Sequence, residues 1–169
     1  LESNCAVQLR TPKIVQNLPS VLNYEQLLQL LKASSTSRFE YRDVAIIEVL
    51  YSCGLRVAEL VGLDVSDVDL SEGFLKVVGK GGKTRHTPLG GSAQKAIIKY
   101  LETHQASALF INKNGDRIGV RSIQNMIKKR ALLAGIKVNV YPHMLRHAAA
   151  THFLQSSHDL RSRSEERRV

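Results

Sequence analysis

The sequence predicts a mainly helical α+β domain with one small three-stranded antiparallel sheet. Apolar residues recur at helical spacing through most of the chain, and capping residues stand at the ends of these segments. Residues 67–91 change to the alternating pattern of β-strands, interrupted by glycines. The chain has 169 residues, of which 43% are hydrophobic. This is long enough for one domain with a core and too short for two comfortable domains.

Three helices are predicted before residue 63. Asn23 is an N-cap with Gln26 three residues later, which is the capping-box pattern, and it starts a helix in NYEQLLQLLKAS. A second helix in RFEYRDVAIIEVLYSC ends at Gly54, and a short third helix in RVAELV ends at Gly62. The inward-facing residues of the first helix are predicted to be Leu27, Leu28, Leu30 and Leu31.

The strands and the remaining helices follow in order. The segments VDL, FLKVV and TRHTPL are predicted strands, and the last two form a hairpin around GKGGK. A helix is predicted to start from a Ser92 cap, and LFINKNGDRIG is a short extended piece with a turn. An amphipathic helix ends at Gly135, and a helix rich in alanine begins after Pro142 and continues to Ser157.

The charge balance restricts the class of partner. Lysine and arginine number 24 against 15 acidic residues, which gives a formal net charge of +9. Such a field favours polyanions, nucleic acid first and an anionic membrane second, with a generic basic surface as the remaining explanation. No run of about 18 apolar residues occurs, so the sequence predicts no membrane span. Cys5 and Cys53 lie far apart and predict reduced thiols of a cytosolic protein.

The GGKT segment resembles the end of a phosphate-binding P-loop, but its surroundings do not fit. Val77 occupies the position of the first glycine of that pattern, and Pro88 and Gly90 favour a strand and turn where a helix is required. The sequence therefore argues against a nucleotide triphosphatase. Glycines still permit close approach of the hairpin tip to a phosphate, and the basic residues there are Lys80, Lys83 and Arg85.

Two interpretations are open for the start of the last helix. His143 and His147 have the spacing of helical metal ligands, although Met144 stands where zinc proteases carry their glutamate. Alternatively, His143 and Arg146 lie three residues apart on one face and address a phosphate together. In the second interpretation Arg56, in GLRVAEL, is half-buried and needs a partner, for which a structural ion pair with Glu59 is the plain explanation.

Three segments together carry a family resemblance. CGLRVAELVGL, VVGKGGKTRHTPL and HMLRHAAATHFL resemble, in order and spacing, the signature boxes of the tyrosine site-specific recombinases of the phage-integrase family. Within that family the likeness is greatest to the bacterial Xer chromosome-dimer resolvases. It extends from Leu18 to about Arg161 and covers the catalytic domain only. The resemblance thus implies a tyrosine-recombinase catalytic domain.

The resemblance implies a reaction that needs neither metal nor another cofactor. A tyrosine attacks a DNA phosphodiester, forms a 3′-phosphotyrosyl link and frees a 5′-hydroxyl. Arg56 and Arg146 match the arginines that hold the non-bridging oxygens, where negative charge builds in the transition state. Lys80 matches the lysine that protonates the leaving 5′-oxygen, and His143 matches the histidine that handles the proton of the nucleophile.

The resemblance also implies supporting roles. Glu59 is expected to support Arg56, and His147 is expected to pack or hydrogen-bond behind the site. Contacts with the DNA backbone are expected from Lys83, Arg85 and Arg121.

The end of the chain departs from the family pattern. Residues 1–20 are expected to be a linker or N-terminal arm, and residues 21–161 an incomplete catalytic domain. Residues 162–169 have an Arg, Ser and Glu composition that favours a frameshifted or foreign tail. The nucleophile of the family is expected beyond Val169. None of the five tyrosines is expected to replace it, so residues 1–169 alone are predicted not to cleave DNA.

The expected partner is double-stranded DNA, in the nucleoid of the cytoplasm. In the family, protomers also join in a DNA-bound tetramer, whereas this chain alone is expected to be monomeric. The choice between chromosome-dimer resolution and a phage or plasmid integrase role stays open, with the former favoured. Two alternative functions remain open: a non-catalytic DNA-binding module, and a metal-dependent hydrolase that uses His143 and His147.

Overall fold

The computed structural model describes residues 21–33, 37–103 and 105–166, with side chains described as far as Ser156. The predicted linker, residues 1–20, lies outside this part of the chain. The helices are α1 (Tyr24–Lys32), α2 (Glu40–Cys53), α3 (Val57–Val61), α4 (Gly91–Leu101), α5 (Val120–Leu133) and α6 (Pro142–Glu166). The strands are β1 (Val68–Asp69), β2 (Phe74–Val78) and β3 (Thr84–Pro88). The predicted fold class is confirmed.

The first helix begins with the predicted capping box. The Asn23 side chain accepts from the Gln26 backbone N–H at 2.8 Å, and the Gln26 side chain accepts from the Asn23 N–H at 3.1 Å. Leu27 and Leu30 are buried, whereas the other two predicted inward leucines are only partly buried. The apolar face therefore points to the core as the sequence predicts.

Helix α2 is the centre of the domain, because it packs against α3, α4 and α6. Its buried positions form a nearly continuous apolar run from Ala45 to Leu50, broken by Glu48. The helix ends at Gly54, whose φ of 57° lies in the left-handed region that a side chain would strain. This sharp end turns the chain directly into α3.

The sheet is antiparallel with strand order β1-β2-β3. Leu75 and Val77 of β2 are buried and alternate with exposed residues, so one face of the sheet packs on the core. At the hairpin tip Gly81 and Gly82 have φ values of 76° and 74°. The tip is closed by the Gly79 N–H, which donates to the Lys83 carbonyl at 2.8 Å.

Two details of the helices differ from prediction. Ser92 does not cap α4; Gly90 holds the N-cap position, and its N–H donates instead to Ser52 Oγ at 2.8 Å. Helix α6 does not end at Ser157 but continues to Glu166, across the point where the family pattern is lost. No helix of the described residues is both long and apolar enough to cross a membrane.

One arginine is part of the core. Arg130 of α5 is 1% exposed. It donates to the carbonyls of Leu30 and Leu31 at 3.1 and 2.9 Å and to Glu40 Oε2 at 2.7 Å. These bonds satisfy the end of α1 and tie it to α5 and to the start of α2. The amphipathic pattern of α5 gave no sign that this basic residue was buried.

Candidate functional site

The crossing of α2 and α6 brings the two arginine-bearing segments together. On α6, Met144, Leu145 and Ala148 are buried, which leaves Arg146 partly buried at the edge of the core. Its Nη1 donates to the Gly54 carbonyl at 2.6 Å. That carbonyl lies at the end of a helix, where it has no intrahelical donor. Arg146 is thereby fixed to Gly54, which precedes Arg56 by two residues.

Arg56 stands at the start of α3 with its side chain in solvent. The residue is the N-cap of α3, and its side chain is 63% exposed. The expectation that it would be half-buried is wrong, because the neighbouring Leu55 and Leu60 fill the core. Its partner is the predicted one: the Arg56 N–H donates to Glu59 Oε2 at 2.8 Å and Nη1 donates to Oε1 at 3.3 Å. The guanidinium keeps most of its donors for a ligand.

Glu59 joins α3 to the hairpin. Its side chain is 7% exposed, and Arg85 of β3 donates to both carboxylate oxygens at 2.9 and 3.0 Å. These hydrogen bonds from Arg85 are the largest of the influences that lower the pKa of Glu59 to about 2, and they outweigh the opposing effect of burial. Arg85, predicted only to contact DNA, is therefore engaged in this ion pair, which no local pattern in the sequence indicates.

The ion pair lies directly beside the hairpin tip. A Cβ added at Gly79 would come 3.3 Å from Arg85 Nη1 and 3.8 Å from Glu59 Oε1, so the backbone passes close to both. Lys80 follows immediately and is exposed. The structure thus connects Arg146, Arg56 and Lys80 through a chain of bonds and close contacts that runs from Gly54 to Gly79.

His143 and His147 form a contact of their own. Their Nε2 atoms are 2.8 Å apart, and the rings meet edge-on with centroids 4.2 Å apart. One Nε2 must donate and the other accept, so the contact requires at least one neutral imidazole. Both residues are exposed at the start of α6. Within the described residues no cluster of three or more His, Cys, Asp or Glu side chains offers a metal site.

The other two residues predicted to contact DNA lie outside the series of contacts that connects Gly54 to Gly79. Lys83 is exposed at the hairpin tip, and Arg121 is exposed in the first turn of α5. Both are free to meet solvent or a polyanion. Among the described residues, neither side chain forms a bond to Glu59 or Gly54.

The five tyrosine side chains lie in different environments. Tyr51 is hydrogen-bonded to His152, and Tyr100 is buried and stacked on Phe110 with centroids 5.7 Å apart. The remaining three are exposed: Tyr24, Tyr41 and Tyr141. Tyr141 lies next to Pro142 at the entry of α6.

Replacing Glu59 by glutamine is expected to reduce stability at neutral pH by about 2 kcal/mol, after allowing for solvent around the guanidinium groups. The pKa of Glu59 is lowered in the folded state, from 4.5 to about 2. Its contribution is therefore complete above pH 4.5 and is lost as the pH falls towards 2. Urea unfolding between pH 7 and 2 measures this. The free energy of unfolding of the variant should fall less steeply with decreasing pH than that of the parent chain.

Glu72→Gln is the matched control for this prediction, because Glu72 is exposed in the turn before β2. Its unfolding curve should follow that of the parent chain at each pH. Equal curves for Glu59→Gln and Glu72→Gln would contradict the assigned role of the carboxylate.

Comparison with known proteins agrees with the fold described above. The model of the phage integrase family matches residues 20–163. The tyrosine recombinase XerC of Alcanivorax borkumensis is 43% identical over 171 residues, covering 96% of this chain and 56% of the relative. XerC of Corynebacterium glutamicum is 40% identical over 172 residues, covering 98% and 56%.

Solved structures give the same result. The crystal structure of XerA recombinase is 34% identical, with a TM-score of 0.76, and the match covers 89% of this chain and 55% of that one. XerH bound to a palindromic difH substrate is 26% identical, with a TM-score of 0.71, covering 84% and 44%. The chain spans about half the length of these relatives. It belongs to the phage integrase family, and the four relatives described here are Xer recombinases.

Proposed function

We propose that this chain supplies the phosphate-holding part of a site that cuts and rejoins DNA in site-specific recombination. The observation that carries the proposal is the bond from Arg146 to the Gly54 carbonyl, which ties the HMLRH segment to the GLR segment. Two arginines from distant parts of the chain then present planar donors to one region, as recognition of a phosphodiester requires. Chromosome-dimer resolution is the biological role favoured, given the XerC relatives.

The proposed reaction is transesterification at a DNA phosphodiester. A tyrosine oxygen attacks phosphorus, the bond to the 5′-oxygen breaks, and the 3′-phosphotyrosyl link keeps the bond energy for rejoining. Arg56 and Arg146 hold the non-bridging oxygens while negative charge develops on them. Lys80 gives its proton to the leaving 5′-oxygen, and His143 takes the proton of the nucleophile. These steps use neither a metal ion nor another cofactor.

The supporting residues follow from the bonds around Glu59. Glu59 holds Arg56 through its backbone and side chain, and Arg85 through two charge-assisted hydrogen bonds. The hairpin tip with Lys80 and Lys83 is then held beside α3. His147, whose Nε2 lies 2.8 Å from His143, fixes which nitrogen of that ring bears the proton.

The proposed partner is double-stranded DNA, in the nucleoid of the cytoplasm. XerH, 26% identical, was solved in complex with its difH substrate, and this chain carries a net charge of +9. Recombination further requires protomers assembled on DNA as a tetramer, whereas residues 1–169 alone are proposed to be monomeric. Arg121 and Lys83 are proposed to contact the backbone. A DNA-binding module without chemistry is the alternative function.

Residues 1–169 alone are expected to form no covalent adduct with a nicked duplex that traps phosphotyrosine. Two tyrosines are engaged in internal contacts, Tyr51 with His152 and Tyr100 with Phe110. The positive counterpart is a hybrid in which residues 21–156 replace the matching segment of the Alcanivorax XerC relative, which supplies its own nucleophile. The hybrid should form an adduct that denaturing electrophoresis detects.

Both outcomes are informative. An adduct with residues 1–169 would show that one of the five tyrosines attacks DNA, against the proposal. A folded, DNA-binding hybrid that forms no adduct would favour the non-catalytic module instead.

A further inference from the structure

A second polar contact joins α2 to α6 near the Arg146 bond. Tyr51 Oη lies 2.9 Å from His152 Nδ1, and the two rings meet edge-on with centroids 5.8 Å apart. Both side chains are partly buried. The Tyr24 ring also meets the imidazole edge-on, with centroids 6.2 Å apart. His152 is thus in contact with two aromatic rings and hydrogen-bonded to one of them.

The two polar contacts lie on one crossing of helices. Tyr51 precedes Gly54 by three residues, about one helical turn, and His152 follows Arg146 by six. The two helices run in opposite directions where they cross, because Gly54, at the end of α2, meets Arg146, whereas the earlier Tyr51 meets the later His152. Fixing two points of a helix against its neighbour sets both its translation and its rotation.

Apolar contacts make up much of the rest of this interface among the described side chains. Both helices contribute apolar side chains to the core, among them Ile47 and Leu50 from α2 and Leu145 and Ala148 from α6. Apolar contacts are non-directional, and they tolerate small shifts of a helix along its partner. Hydrogen bonds weaken steeply when their distance or angle changes. The Tyr51–His152 bond is therefore suited to hold α6 in one register.

We propose that Tyr51 and His152 are positioning residues, whose hydrogen bond holds α6 so that Arg146 stays on the Gly54 carbonyl and faces the phosphate. This inference rests on the proposed function, since it names how that site keeps its geometry. Neither residue touches the reacting atoms. Their effect passes through Arg146 and, one turn earlier on the same helix, through His143.

The test uses arginine side-chain NMR of residues 1–169 without DNA. In the parent chain the bond from Arg146 Nη1 should restrain rotation of the guanidinium and keep its Nη signals distinct. Tyr51→Phe removes one hydroxyl and retains the ring. We expect it to accelerate this rotation by about threefold to tenfold, the factor that corresponds to one net hydrogen bond. The Arg130 signals should not change.

Three variants separate positioning from general loosening. Tyr24→Phe makes the same substitution on the other ring around His152, and it should leave Arg146 unchanged. His152→Asn, whose amide places a polar atom near the Nδ1 position, should retain most of the restraint, whereas His152→Leu should lose it. Thermal melts of all four variants report any global loss of stability.

Unchanged Arg146 signals in Tyr51→Phe, or an equal effect of Tyr24→Phe, would overturn the inference. Titration with the difH duplex tests the proposed function separately. If Arg56 and Arg146 signals of the parent chain do not respond to the duplex, the phosphate site is wrong, while the comparison without DNA still decides the positioning role.

Discussion

Replacing Arg130 by alanine is expected to destabilise the domain by about 3–5 kcal/mol, the usual cost of removing one partner from a buried ion pair. The side chain is 1% exposed and donates to Leu30, Leu31 and Glu40. Its removal leaves the two carbonyls at the end of α1 without these donors and opens a cavity. Chemical unfolding, monitored by far-UV circular dichroism, measures the change in the free energy of unfolding.

Lys128→Ala is the matched control on the same helix. Lys128 is exposed, so its replacement should change stability by less than about 0.5 kcal/mol. Arg130→Lys should fall between the two, because an ammonium group retains charge but does not reproduce the planar set of donors. A loss below about 1 kcal/mol for Arg130→Ala would contradict the role given to this side chain in joining α1, α2 and α5.

The parts of the fold that the sequence predicted are those set by local chemistry. The capping box at Asn23 and the helix end at Gly54 depend on residues within one turn. The hairpin follows from alternation in β2 and from glycines at its tip, two of which adopt positive φ. The same local signals placed Arg56, Lys80 and Arg146 in segments that the structure connects.

The parts that were not predicted depend on contacts between distant residues. Arg130 bonds to Leu30, 100 residues away, and Tyr51 bonds to His152, 101 residues away. Periodicity shows which face of a helix is apolar, but it does not identify the partner of a polar residue on that face. The prediction of a Ser92 cap was also wrong: Gly90 is the N-cap of α4, and its own N–H donates to Ser52 of α2, 38 residues away.

The prediction that the Arg56 side chain is half-buried was also wrong, and the reason is physical. Its apolar neighbours suggested a half-buried side chain, but in α3 the carboxylate of Glu59 occupies the buried position. The same carboxylate also accepts a hydrogen bond from Arg85 of the hairpin, which lies 26 residues later in the chain. The arginine side chain is left exposed to solvent.

Replacing Arg146 by alanine in the hybrid recombinase is expected to slow DNA strand cleavage by about 100- to 1,000-fold, the usual effect of losing one preorganised donor to a developing charge. Affinity for the duplex should fall by less than about tenfold, because one phosphate contact is lost among many. Arg146→Lys should be intermediate, since it keeps the charge without the bidentate geometry.

The central claim is that Arg146 and Arg56 hold one DNA phosphate during strand cleavage. Single-turnover cleavage of a nicked duplex, measured beside binding of the same duplex, tests it most directly in the Arg146→Ala hybrid, with Lys128→Ala as the control. The predicted result is a loss of cleavage with binding retained and with the control unaffected. Cleavage at the parent rate, or a loss of binding that accounts for the whole defect, would contradict it.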